Sequence, residues 1–304
     1  MKFIDGEVHH TYQRTETGFN IFYEVQDYLV YFTIFMTQAP RYNVTIYGLC
    51  LMIDHIHSLV SARSHGQFSS FIKAVNINFV KEFNRAHGRS GPVFTERLGK
   101  APKVGLKRLR TAIAYLFNNP VERYLCKLAQ DYRWNFLAYG NSIHPYSDAI
   151  QIRYASYAMR KAKSEVDGCV KRGRHLTYPQ LDRMFKSLNA AERNQLTDYI
   201  ISRYSAAIRY DLLAACYGSY ENMLTAINSN TGSEYDIIET MHGKSDLEYR
   251  EIYRYLHAHG FDNAGDVITL DETAKQKLMK ALSSNTSAKP FQIRKYLHIS
   301  SCAT

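Results

Sequence analysis

The sharpest chemical pattern in this 304-residue chain is His55-Ile56-His57, set inside the β-prone run Tyr42–Ala62. In a strand, residues two apart project from the same face, so both imidazoles point one way. Two neutral imidazoles held together are half of a divalent-metal site. Twelve histidines in this length produce roughly half of one such pair by chance, so spacing alone says little. A second pair, His257 and His259, falls near the end of the helical stretch Glu248–His259. There two residues apart means about 200° apart in direction, and one ion is not easily shared. Strand context separates the two pairs.

A second concentration of chemistry lies on a helix expected over Leu106–Asn118, ended by Pro120. Leu109, Ala112, Ile113, Leu116 and Phe117 form its core stripe, while Arg108, Thr111, Tyr115, Asn119 and Glu122 gather on another side. Tyr115 and Asn119 are i,i+4 neighbours that can reach one site, a relation that Pro120 would loosen. Leading into this helix, Arg97, Lys100, Lys103, Lys107, Arg108 and Arg110 follow one another without an intervening acid. A basic loop running into a helix suits a phosphate backbone, although a solvated face would look the same.

The elements that must position these groups form an α+β order. Val8–Arg14 reads as a strand and Val25–Ala39 as an apolar helix stopped by Pro40. Tyr42–Ala62 is too long for one strand and should bend at Gly48 and Asp54. Phe68–Ala86 is helical, with Phe71, Val75, Phe79 and Phe83 on one face, and Val93–Arg97 is a short strand candidate. The resulting β-α-β-β-α-β-α order describes helices against an antiparallel sheet. From about Asn141–Ser147 the character becomes all-helical, which divides the chain into residues 1–145 and 146–304. Capping-box spacings at Ser245 with Glu248 and at Thr269 with Glu272 predict helix starts there. The basic stretch Arg153–Arg174 could extend an anion-binding surface, and Leu270–Ile299 could be helix, turn, helix. The second half could bind a target, dimerise or simply stabilise.

Composition narrows the classes. The formal net charge is +10, and residues 1–140 carry 17 basic against 10 acidic side chains. A polyanion partner is therefore expected, and on the first half. Met1–Glu7 has two acids and no apolar run, so it does not read as a secretory signal, and Tyr28–Met36 is too short to span a bilayer. The five cysteines, Cys50, Cys126, Cys169, Cys216 and Cys302, form no C-x-x-C pair. Buried thiols in a reducing cytoplasm are expected, rather than disulfides or a zinc knuckle.

Met52-Ile-Asp-His-Ile-His-Ser-Leu-Val60 resembles the Met-Pro-Asn-His-Val-His-Leu-Leu run of IS200-like transposases, specifically the REP-associated tyrosine transposases. Ala114-Tyr-Leu-Phe-Asn-Asn-Pro-Val-Glu-Arg123 is similar to the family's Tyr-Ile-x-x-Asn-Pro-Val-x-Ala block. His10-Thr-Tyr-Gln-Arg14, Gly91-Pro-Val-Phe94 and Tyr132-Arg-Trp134 occur in the family's order, so the resemblance spans roughly residues 8–140. It departs where Ile53-Asp54 replaces Pro-Asn and Ser58 replaces an apolar residue; Asp54 could add an oxygen near a metal or cap the bend. His9 or His10 could face the site, with packing the first expectation for both.

The resemblance implies an HUH endonuclease domain on a ferredoxin-like antiparallel sheet, followed by a helical C-terminal domain. It implies His55, His57 and Asn119 as ligands of Mg²⁺ or Mn²⁺ and Tyr115 as the nucleophile. A phenol's ordinary pKa near 10 makes its deprotonation costly, and Arg108 or the ion would lower that cost. The implied substrate is single-stranded DNA, often with a hairpin, contacted by Arg14, Arg97, Lys100, Lys103, Lys107, Arg108 and Arg110. The implied setting is cytoplasmic and nucleoid-associated, as monomer or homodimer and without a membrane. Two other readings remain: a domesticated, catalytically inactive protein that binds hairpin DNA, and an RNA-binding protein on the same sheet. The second predicts exposed aromatics on central strands and no need of the histidine pair.

Overall fold

Alternation of inward and outward side chains shapes the first half of the molecule. The structure, a computed structural model, describes residues 3–229 and 245–299. β1 (Val8–Arg14) is followed by α1 (Val25–Arg41), β2 (Thr45–Met52), β3 (His55–Ser61), α2 (His65–Ala86), β4 (Gly99–Pro102) and α3 (Leu106–Glu122). The strands form one antiparallel sheet in the order β2-β3-β1-β4, the ferredoxin-like arrangement. β2 and β3 make a hairpin whose two-residue turn is Ile53-Asp54, with Met52 opposite His55 and Cys50 opposite His57. The register shifts between Ile46 and Gly48, so Gly48 marks a bulge and Asp54 the turn.

The two faces of the sheet differ. Ile46, Leu49, Leu51, Ile56 and Val60 pack with the buried phenylalanines of α2 and with α1, which is buried nearly all round. On the opposite face Val8, Cys50, Met52 and Leu59 meet Ala112, Ile113, Leu116 and Phe117 of α3. Gly48 sets that approach: a Cβ added there would lie 3.3 Å from Leu116 and from Phe117. A larger residue at 48 would hold α3 off the strands.

α4 (Tyr157–Lys171), α5 (Tyr178–Lys186) and α6 (Ala190–Ser205) follow, with α5 and α6 against the outer side of α1. α7 (Tyr210–Ala215) and α8 (Tyr220–Asn228) flank β2 and α3. α9 (Leu247–Ala258), α10 (Glu272–Asn285) and α11 (Pro290–Leu297) close the described chain. One apolar cluster runs from Ile21 to Ile299 and the other from Val8 to Ile227, so each draws on both halves.

Several local expectations are corrected. Pro40 and Pro120 lie inside α1 and α3 rather than ending them, since each sits within the last three residues, where few later hydrogen bonds depend on it. Val93–Arg97 is not a strand beyond one bridge from Phe94 to Thr15; the fourth strand is Gly99–Pro102, which pairs with β1. The N-caps of α9 and α10 are Asp246 and Asp271, so neither expected capping box forms. Cys50 and Cys169 are buried, Cys126 and Cys216 only half-buried, and Cys302 lies outside the described residues. Among the described residues no helix is long and apolar enough to cross a membrane.

Candidate active site

His55 and His57 lie on β3 with rings 5.0 Å apart and perpendicular, at 2% and 0% exposure. Each ring has a partner that fixes its tautomer. His55 Nδ1 is 2.6 Å from Asp54 Oδ1, and a carboxylate can only accept, so Nδ1 carries the hydrogen. His55 Nε2 is buried and without a hydrogen-bond partner, and in the neutral ring it is a lone pair. Asn119 donates from Nδ2 to His57 Nε2 at 3.3 Å, so that nitrogen is also the acceptor. His57 Nδ1 consequently donates to His10 Nε2, 3.0 Å away on β1. Both Nε2 atoms are thus presented as bases, the form in which imidazole binds a metal.

Burial supports the neutral state. It pushes the His57 imidazole well below its ordinary value, helped by the neighbouring imidazoles of His55 and His10 and by the guanidinium groups of Arg123 and Arg14. It lowers His10 to about 3, with Lys103 adding to the effect. Burial alone would raise the Asp54 carboxyl, but the adjacent His55 and Lys295 hold it well below the usual carboxylate range. Lys295 reaches it from α11, Nζ to Oδ2 at 2.8 Å. Asp54 therefore acts on the His55 ring, and its oxygens are both engaged.

Tyr115 and Asn119 stand on α3, which passes through Pro120 without losing their i,i+4 relation. The Tyr115 ring meets the rings of His57 and His10 edge to face, each at 5.5 Å. It is 0% exposed, because every residue from Ala112 to Pro120 is enclosed. Of the polar stripe, Tyr115 and Asn119 thus face a buried site, while Arg108 stays exposed. Asn119 Oδ1 is buried without a hydrogen-bond partner.

The basic residues divide. Arg14 stacks on Tyr12 and bonds its hydroxyl, and its charge reaches His57. Lys103 is half-buried and its charge reaches His10. Lys100 contacts His65 and lies 5.7 Å over Phe68, and Arg110 donates to Cys216 O at 2.6 Å. Arg97, Lys107 and Arg108 are exposed. Arg108 stands on the exposed first turn of α3, and the guanidinium groups whose charge reaches His57 are Arg123 and Arg14. In the second half, Lys163 and Arg203 pair with Asp167, and Arg183 with Glu165.

Sequence reasoning missed the supporting residues. His10, ranked as packing, orients His57, whereas His9 does pack, stacked on Phe3 at 4.0 Å. Lys295, Arg123 and Asp246 carried no local signal. Asp246, the N-cap of α9, lies 3.5 Å from Arg123, and its second oxygen is buried without a hydrogen-bond partner. Burial, with the negative charge of Asp54, raises its carboxyl to about 6.

On a ferredoxin-like sheet, two strand imidazoles thus face a helix-borne carboxamide and phenol. Residues 10–119 match the family described as transposase IS200 like. The chain also resembles a solved structure of a REP-associated tyrosine transposase bound to a REP hairpin, with 16% identity and a TM-score of 0.38. That likeness covers 44% of this chain and 78% of the other. No curated protein matches the sequence.

Proposed function

We propose that this transposase cleaves and rejoins single-stranded DNA through Tyr115, with His55, His57 and Asn119 as the ligands of Mg²⁺ or Mn²⁺. The observation that carries this reading is a pair of orphaned atoms. Leaving a buried polar atom unpaired costs about 1–3 kcal/mol, and here both His55 Nε2 and Asn119 Oδ1 bear that cost beside His57. Among the described residues no three His, Cys, Asp or Glu side chains converge, and the resemblance makes the neutral Asn119 the third protein donor. Such a set fits a divalent cation whose charge is balanced by the substrate phosphate. When bound, the cation would supply Lewis-acid polarisation of a phosphate oxygen.

The chain's own residues do the rest. His10 and Asp54 hold the two imidazoles in one tautomer, so no reorganisation is needed as charge develops. The Tyr115 hydroxyl gives up its proton, its oxygen forms a bond to phosphorus, and the bond from phosphorus to the 3′ oxygen breaks. That oxygen takes a proton and leaves as a 3′-hydroxyl, while the 5′ phosphate stays on the tyrosine. A phosphodiester replaces a phosphodiester, so the reverse step joins strands without ATP. Arg14 and Lys103, whose charges reach His57 and His10, would serve as contacts to the DNA backbone. Residues 1–145 would form the nuclease unit and residues 146–304 a helical extension that supports it.

A second reading, an inactive DNA-binding descendant, is favoured by one observation: the Tyr115 ring is fully enclosed. Cleavage requires the ring to leave that packing, or the cover over it to open. Incubation with labelled hairpin DNA and Mn²⁺ decides. A denaturation-resistant adduct should form with the native chain and disappear in Tyr115→Phe. Binding without any adduct would favour the inactive descendant, and an adduct in Tyr115→Phe would move the nucleophile elsewhere.

A further inference from the structure

A cavity of about 380 Å³ opens one residue before the Asp54-His55 pair, at Ile53, between the sheet domain and α9. That volume falls in the range of small-ligand pockets, roughly 300–1,000 Å³. One wall is a column of stacked rings. Phe22 and Tyr28 lie 4.6 Å apart at 17°, and Tyr28 and Trp134 lie 4.2 Å apart at 9°. Tyr28 and Trp134 are only half-buried. Asp246 also lines the cavity, 6% exposed, with one oxygen on Arg123 and the other buried without a hydrogen-bond partner. Arg250 and Arg254 line it as well, and both are exposed.

We infer that this cavity takes one unpaired nucleobase of the DNA strand next to the scissile phosphate. The assignment rests on the DNA-cleavage reading above. An aromatic lining accepts a base through stacking at the end of the column or edge-to-face contact along it, whatever the base's identity. A buried carboxylate oxygen lacking a donor suits the N–H groups on a base's pairing edge, which are exposed only when the base is unpaired. Exposed guanidinium groups suit the phosphates on either side. An aliphatic or lipid ligand would leave the carboxylate unpaired, and an anion alone would meet Asp246 and Glu24, which also lines the cavity. Position agrees with chemistry: Arg123, the partner of Asp246, caps α3 four residues after Asn119. Cavity and site are therefore linked through Ile53, next to Asp54 and His55 in the chain, and through the Asp246–Arg123 pair. The helix that completes the cavity, Leu247–Ala258, lies outside the segment that matches the transposase family. The second half of the chain thereby gains a role in placing the strand.

Trp134 is the chain's single tryptophan, so its fluorescence reports on the cavity directly. The full chain is titrated with a hairpin oligodeoxynucleotide carrying a single-stranded flank, following both anisotropy of the labelled DNA and Trp134 emission. The expected result is quenching on binding. An abasic residue moved along the flank should abolish the quench at one position and weaken binding there by about tenfold. Arg254→Ala, an exposed change, should weaken binding severalfold while circular dichroism stays native. Tight binding with unchanged Trp134 emission, or equal tolerance of abasic residues everywhere, overturns the inference. Phosphotyrosine adduct formation is read in the same samples. An adduct without quenching sinks the cavity alone, quenching without an adduct sinks the cleavage reading alone, and absence of DNA binding sinks both.

Discussion

The chain contains the same short spacing of histidines twice, and the two pairs come to opposite ends. His55 and His57 share one face of β3, buried, with their rings 5.0 Å apart. His257 and His259, at the end of α9, are exposed and part company. His257 pairs with Glu24 at 3.1 Å, and His259 bonds the Tyr255 carbonyl at 2.7 Å while stacking on that ring. Spacing offers a chelate only when the backbone period converts it into a common direction. The second lesson concerns support. Each strand imidazole is held by a partner, Asp54 on its own turn and His10 on the neighbouring strand, so orientation is settled before any ligand arrives.

The largest test of this contrast removes one ring from each pair. His57→Ala should abolish adduct formation with hairpin DNA and Mn²⁺, a loss of at least a hundredfold, whereas His257→Ala should leave it within about twofold. Equal losses would mean that the strand pair has no special role. A third imidazole, His298, is half-buried away from both pairs; its Nε2 is 2.8 Å from the Asn20 carbonyl. Burial lowers its pKa to about 4. Since the folded value is below the unfolded 6.5, the unfolded chain binds more protons between them. Stability is then fully present above pH 6.5 and is lost as pH falls towards 4, by up to about 3 kcal/mol. Thermal unfolding from pH 7 to pH 4.5 should show this fall, and His298→Asn, which tolerates the left-handed backbone at 298, should flatten it.

A subtler change leaves both strand rings in place and removes only a support. Asp54→Asn should weaken Mn²⁺ binding about 10–100-fold, by analogy with other outer-shell partners of ligating histidines. Calorimetric titration measures it, and an unchanged affinity would show that the ring needs no orienting carboxylate. The smallest effect is expected at Gly48. Gly48→Ala should cost on the order of 1 kcal/mol, because the new methyl presses on Leu116 and Phe117. Its denaturation midpoint should fall while Gly66→Ala, where a Cβ meets nothing within 4 Å, should show no such strain.

Much of the frame was legible because it depends on short-range periodicity. β1 was expected at Val8–Arg14 and is found there, and the long β-prone run divides at Asp54 as expected. The phenylalanine stripe of α2 and the apolar stripe of α3 both face cores. The fourth strand was placed too early, since four residues with a glycine and a proline hold no strand signal of their own and are recruited by pairing with β1. The prolines misled because a rule for helix interiors was applied to last turns, where little is lost.

The sequence by itself determined that two imidazoles would share a face and that Tyr115 and Asn119 would lie one turn apart, because strand and helix periods are properties of the local backbone. Tertiary structure alone decided that α3 would bring Tyr115 and Asn119 onto the strand pair, and that Tyr115 would be enclosed there. It also decided that Lys295 would reach Asp54 across a sequence separation of 241 residues and that Asp246 would meet Arg123. The reason is physical. No propensity connects residues so far apart; they meet because two apolar clusters, each built from both halves of the chain, bury more surface together than either half could bury alone.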